Sequence, residues 1–211
     1  MRPVCFNGLY VILDQASLGK RNPVSVVRSM IRAGVRVLQY RAKGVGDAAV
    51  FETCKTLARY CRRSKVLFIV NDRPDIAFSS GADGVHLGTD DLPIAVARKA
   101  LGPGKIVGLS SHSVAEALRQ ARKKPDYLAL GPIFRSRTKK TRRRLVGLAA
   151  LGRVAGRVHC PVVAIGGIDA RTAGDAIAAG ANSVAVVEAV LGARNSEKAA
   201  RFLSQVIARS A

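Results

Sequence analysis

Eight short apolar runs, each followed by a stretch with helical spacing of its apolar residues, divide the chain into repeated units. The runs fall near 8–14, 35–41, 65–71, 84–88, 105–110, 127–132, 161–166 and 183–188, and the helical stretches near 23–33, 46–63, 73–80, 93–101, 113–123, 147–156, 170–179 and 195–209. Runs that are apolar without a break, such as Lys65–Val70 and Val162–Ile165, imply strands covered on both faces, which is the condition of a parallel sheet under helices. Eight alternating units favour a closed (β/α)8 TIM barrel in the α/β class, with an open doubly wound sheet as the wider and less usual alternative. No linker or low-complexity tail interrupts the pattern, so residues 1–211 read as one (β/α)8 barrel domain.

Turn and cap chemistry agrees with these boundaries. Gly34, Gly81, Gly102 and Gly180 follow helical stretches as C-terminal stops do. Asp169 and Asn195 are placed as N-caps, and Pro23, Pro74 and Pro93 as first-turn residues. The core must be built from small aliphatics, because 48% of residues are hydrophobic but only 5% are aromatic and none is Trp. No apolar run reaches the roughly 20 residues of a membrane span, and the first run reads as a strand, not a leader peptide, which implies a cytoplasmic protein. Cys5, Cys54, Cys61 and Cys160 show no metal-ligand spacing and read as reduced thiols; Cys54 and Cys61 share one helix face.

The net charge of +21, from 35 basic and 14 acidic residues, attracts anions. A nucleic-acid partner is one reading. The basic residues, however, are spread over many helices, and few aromatics interleave with them to stack on bases, so binding beyond the non-specific is not expected. Small anionic substrates suit the field as well.

Chemistry gathers where the apolar runs end. Asn71-Asp72 closes the third run and Asp91 follows the fourth. Either aspartate could be a helix N-cap before the following proline. Taken together on one rim, they offer Mg²⁺ two carboxylates and leave positions for substrate phosphates. Alternation sends Gln39, Arg41 and Lys43 to one side of the second run, where a guanidinium and an ammonium suit a diphosphate; a solvated strand end is the bland alternative. Gly166-Gly167 after the seventh run fits a tight turn or a phosphate-binding loop, and barrels often bind phosphate between loops seven and eight. Positions 135–144 hold seven basic residues and lie on the same rim.

These residues form a set that resembles thiamine phosphate synthase. The pattern comprises Gln39, Arg41 and Lys43; Asn71-Asp72-Arg73 with Asp75; Gly84-Val85-His86-Leu87-Gly88 with Asp91 and Pro93; Gly108, Ser110 and His112-Ser113; Gly131-Pro132 with Phe134, Ser136, Thr138 and Lys139; and Ala164-Ile165-Gly166-Gly167-Ile168. The resemblance runs over nearly the whole chain. It implies a Mg²⁺-dependent transferase that joins hydroxymethylpyrimidine diphosphate to hydroxyethylthiazole phosphate and releases diphosphate. Gln39, Arg41, Lys43, Asn71 and Lys139 would hold the diphosphate, and Asp72 and Asp91 the metal. Ser110 would face the pyrimidine and diphosphate. Ser136, Thr138 and the Gly167 backbone would hold the thiazole phosphate. Lys139, Ser110 and Arg41 stand as the catalytic candidates, and no protein nucleophile is required.

The sister TenI-like thiazole tautomerases share the barrel and are the alternative, with His112 as the candidate proton carrier. Two departures are visible. Glu188 stands in Val186-Val187-Glu188-Ala189 where the family has a small Ser-Ala step, and Thr89 replaces a frequent Gln. A carboxylate beside a phosphate must turn away or pair with a cation. Monomer and homodimer both remain open.

Overall fold

The computed structural model describes residues 6–135 and 144–210. Eight parallel strands close on themselves in chain order, with β8 returning to β1. The strands are β1 (Gly8–Asp14), β2 (Val37–Arg41), β3 (Leu67–Asn71), β4 (Gly84–Leu87), β5 (Ile106–Ser111), β6 (Tyr127–Leu130), β7 (Val162–Ile165) and β8 (Ser183–Val186). Helices alternate with them: α1 (Gln15–Leu18), α2 (Pro23–Arg32), α3 (Asp47–Arg63), α4 (Pro74–Ser80), α5 (Ile94–Leu101), α6 (Val114–Ala121), α7 (Leu148–Ala155), α8 (Ala173–Ala178), α9 (Glu188–Leu191) and α10 (Ser196–Ala208). The closed α/β barrel is the architecture that the eight apolar runs imply. No helix among the described residues is long and apolar enough to cross a membrane.

Two cores follow from the period of two along each strand. Outward residues such as Val11, Leu38, Phe68, Val85 and Leu128 pack under the helices, joined on α3 by Val50, Cys54, Leu57 and Cys61, which recur at helical spacing. Inward residues Tyr10, Ile12, Val37, Ile69, Ile106, Tyr127, Ala129, Val163 and Ala185 fill the barrel with Phe6. Each fully buried aliphatic or aromatic side chain contributes about 1.5–3 kcal/mol. Burial pushes the thiols of Cys54 and Cys61 up to about 12, so both stay protonated and inert.

Local chemistry sets the helix ends. Asn22 and Asn195 accept from Val24 N–H at 2.8 Å and Lys198 N–H at 3.0 Å. Gly81 stops α4 in the left-handed region at φ 73°, donating to Ala77. Several expected details are corrected. Asp169 does not cap a helix: α8 begins at Ala173, and Asp169 instead accepts from Arg171 N–H at 2.9 Å in a turn. Pro93 occupies the cap position before α5, not its first turn. The last strand ends at Val186, because the chain turns there into α9. α1 and α9 are four residues each, too short for periodicity to reveal.

The strands approach closely where Gly84 sits. A methyl group on Gly84 would lie 2.1 Å from the Ile106 carbonyl oxygen, a backbone atom that cannot swing aside. Gly84→Ala will therefore lower the unfolding free energy by about 2 kcal/mol. Denaturant titration with an unchanged midpoint would contradict this.

Candidate active site

Inward positions run out of apolar residues at the carboxyl ends of the strands. Asp14 ends β1, Arg41 ends β2, Asn71 ends β3, His86 precedes the end of β4 and Ser110 that of β5. Register places Asp14 beside Arg41 and Asn71 beside His86. Arg41, Lys43, Asn71, Asp72, His86, Gly88, Asp91, Ser110 and His112 thus line one cavity of about 260 Å³.

The expected carboxylates meet there. Asp72 sits at φ 63°, a left-handed conformation that costs a non-glycine residue about 1 kcal/mol or more. Its N–H donates to the His86 carbonyl at 2.8 Å, which holds the turn in place. Asp91 accepts from Gly88 N–H at 2.6 Å, and a side chain at Gly88 would press within 3.0 Å of the same carboxylate oxygen. Neither aspartate caps a helix, since Arg73 and Pro93 hold those positions. The Asp72 carboxyl is raised above its ordinary range, first by burial, then by the hydrogen-bonded contact and charge of Asp91; Lys43, 3.4 Å away, pulls it back.

The cations are already engaged. Arg41 pairs with Asp14, which also accepts from Ala16 and Ser17 N–H at the start of α1. Asp14 was not among the candidates, although an acid at a strand tip is the signal that singled out Asp72. Among the described residues around this cavity, Arg41 and Lys43 face Asp14, Asp72, Asp90 and Asp91. The local balance is two negative charges in excess. A divalent cation arriving with a diphosphate would offset that excess. Paired carboxylates with neighbouring amide and hydroxyl oxygens are a donor set that fits Mg²⁺.

Gln39 lies one layer lower, 2% exposed, donating to the Tyr10 hydroxyl at 2.7 Å. His86 is buried between Tyr127 Oη and Ser110 Oγ, each at 2.9 Å. Burial lowers its pKa to about 4, against a small opposing pull from Asp91, so the ring is neutral at pH 7. His112 Nδ1 donates to the Gly131 carbonyl at 2.8 Å, leaving Nε2 as the nitrogen with a lone pair.

The other half of the rim holds a second cavity of about 370 Å³, lined by Arg135, Gly166, Gly167, Arg171, Glu188 and neighbours. Gly166 and Gly167 have φ 95° and 67°, and side chains there would strike Pro132 at 2.7 Å and the Phe134 carbonyl at 2.5 Å. The glycine pair is thus required by the close pass of the chain after β6. Glu188 accepts from Ser17 Oγ at 2.6 Å, so one carboxylate oxygen is tied to α1. Ser136, Thr138 and Lys139 lie outside the described residues.

Fold and rim together define a (β/α)8-barrel enzyme. Residues 9–190 match the model of the thiamine monophosphate synthase family, and the chain belongs to that family. It is 40% identical over 199 residues to the thiamine-phosphate synthase of Chlorobium luteolum, covering 94% of this chain and 92% of that protein. The thiamine-phosphate synthase of Chloroflexus aurantiacus is 41% identical over 199 residues, with the same coverage of 94% and 92%. Among solved structures, the thiamine phosphate pyrophosphorylase of Pyrococcus furiosus superposes with a TM-score of 0.89 at 36% identity, covering 98% of both chains.

Two titrations test this electrostatic picture. Asp91→Asn removes a cause that raises Asp72, so the Asp72 carboxyl will titrate lower, as read by ¹³C NMR; an unmoved Asp72 would separate the pair. Because His86 is depressed from 6.5 to about 4, the unfolded state binds the extra proton. Stability is therefore full above pH 6.5 and falls as pH drops through that window, a loss that His86→Asn will shrink in pH-dependent unfolding.

Proposed function

We propose that the chain is a thiamine phosphate synthase, joining hydroxymethylpyrimidine diphosphate and hydroxyethylthiazole phosphate with release of diphosphate. The observation that carries this reading is the paired Asp72 and Asp91 sharing one rim cavity with Arg41 and Lys43, in a chain about 40% identical to curated thiamine-phosphate synthases. Mg²⁺ would be held by Asp72 and Asp91 and would neutralise charge on the departing diphosphate.

The chain's own groups do the rest. Arg41, Lys43 and Asn71, with Lys139 from the segment after β6, bind the diphosphate oxygens. Ser110 sits beside them on β5, placed to touch the leaving group and the pyrimidine. The electron-rich aminopyrimidine supports loss of diphosphate from its methylene carbon, and the thiazole nitrogen then bonds to that carbon. The thiazole phosphate takes the second cavity, with the Gly167 backbone, Ser136 and Thr138 as its holders; Arg135 and Arg171 supply cations there. Because Glu188 is tied to Ser17, its charge is partly withdrawn from that phosphate. The barrel's contribution is proximity: both reactants are held on one rim with their reacting atoms aligned.

Purified protein supplied with both substrates and Mg²⁺ will release diphosphate. Asp72→Ala and Arg41→Met will each lower kcat/KM by about 10²-fold or more, the scale of losing one preorganised charge contact. No turnover by folded protein, together with diphosphate binding that Asp72→Ala leaves unchanged, would overturn the reading.

A further inference from the structure

Below the rim, polar groups form a continuous line through the barrel's apolar interior. Gln39 Nε2 lies 2.7 Å from Tyr10 Oη, Tyr10 Oη 3.0 Å from Tyr127 Oη, Tyr127 Oη 2.9 Å from His86 Nδ1, and His86 Nε2 2.9 Å from Ser110 Oγ. Five different strands supply the five residues. Gln39, Tyr10, Tyr127 and His86 are buried; His86 and Ser110 line the cavity, with Ser110 at the end of the line. Space for the line is built in: a methyl group on Gly108 would lie 2.1 Å from Tyr127 Cζ, so only glycine lets that ring stand in the barrel centre. The His86 ring then stacks on Tyr127 at 5.4 Å between centroids.

Hydrogen-bond accounting gives the line a direction. An amide nitrogen only donates, so Tyr10 Oη accepts from Gln39. Were Tyr127 also to donate to Tyr10, the Tyr10 proton would have no acceptor among the described residues, at the cost of an unmet buried donor. Tyr10 therefore donates to Tyr127, Tyr127 to His86 Nδ1, and His86 Nε2–H to Ser110. Each hydroxyl and ring N–H between Gln39 and Ser110 is then used once, and the Ser110 proton stands free at the cavity end.

We propose that Gln39, Tyr10, Tyr127 and His86 are positioning residues that lock His86 as the Nε2–H tautomer and so present Ser110 to the rim cavity as a hydrogen-bond donor. Run the other way, the line would turn the Ser110 proton inward and offer only lone pairs to an incoming anion. Set in this direction before substrate arrives, the hydroxyl is aimed at an anionic oxygen without reorganising. Its catalytic consequence rests on the proposed synthase reaction; the tautomer itself does not.

The test is ¹⁵N NMR of histidine-labelled protein, with His112→Gln and His159→Gln assigning the signals. Wild type will carry the His86 proton on Nε2 and none on Nδ1; a proton on Nδ1 overturns the proposal without any variant. Gln39→Glu reverses the line once its carboxylate ionises, because Tyr10 must then donate to it. The tautomer will switch to Nδ1–H and kcat will fall roughly two- to tenfold, the size of one hydrogen bond. A tautomer that stays on Nε2 at every pH overturns the proposal. Adding Tyr127→Phe to Gln39→Glu cuts the line, so the His86 tautomer will no longer change as the carboxylate at position 39 ionises; a tautomer that still follows that ionisation overturns the proposal. Loss of turnover in wild type with the tautomer as stated would instead count against the synthase reading alone.

Discussion

The structure depends on one geometric constraint: in a closed barrel, every second residue of every strand points at the same narrow axis. Inward positions must be apolar, tiny or fully hydrogen-bonded until the strands end and solvent is reached. Polar side chains are thereby sorted by height. Ile12, Ile69, Ile106 and Val163 fill the middle. Asp14, Arg41, Asn71 and Ser110 continue the inward rows of their strands toward the carboxyl ends, two or four residues beyond Ile12, Val37, Ile69 and Ile106, and meet at the rim. The same alternation that packs the core thus assembles the site.

Electrostatics then decides what the site can accept. Asp72 is held half-buried beside Asp91, and burial first, then the contact and charge of Asp91, raise its carboxyl. The left-handed backbone at Asp72 adds a conformational cost. The proposed site for Mg²⁺ and diphosphate would use both features. The whole-chain charge of +21 acts at longer range, drawing anions to a rim whose described residues are locally acidic.

Much of this was legible from the chain alone. Eight apolar runs led to the barrel, and acids at the tips of runs three and four led to the paired aspartates. Alternation placed Gln39, Arg41 and Lys43 on one face. What alternation could not separate was depth: Gln39 is four residues from Lys43, yet it belongs to the barrel interior and Lys43 to the mouth. Nor could it find the Asp14–Arg41 pair or the contact between Tyr10 and Tyr127, 117 residues apart, because partners across a barrel follow from closure and register, not spacing. The short helices α1 and α9 escaped because four residues carry no period. The turn at Glu188 escaped for the same reason.

The account stands on the proposal that Asp72 and Asp91 share one divalent cation beside Arg41 and Lys43. A crystal structure of the protein soaked with diphosphate and Mn²⁺, read by anomalous scattering, tests it most directly. One anomalous peak bridging both aspartates and the diphosphate is the result predicted. Diphosphate bound elsewhere, or bound at this rim with no metal between the two carboxylates, would contradict it.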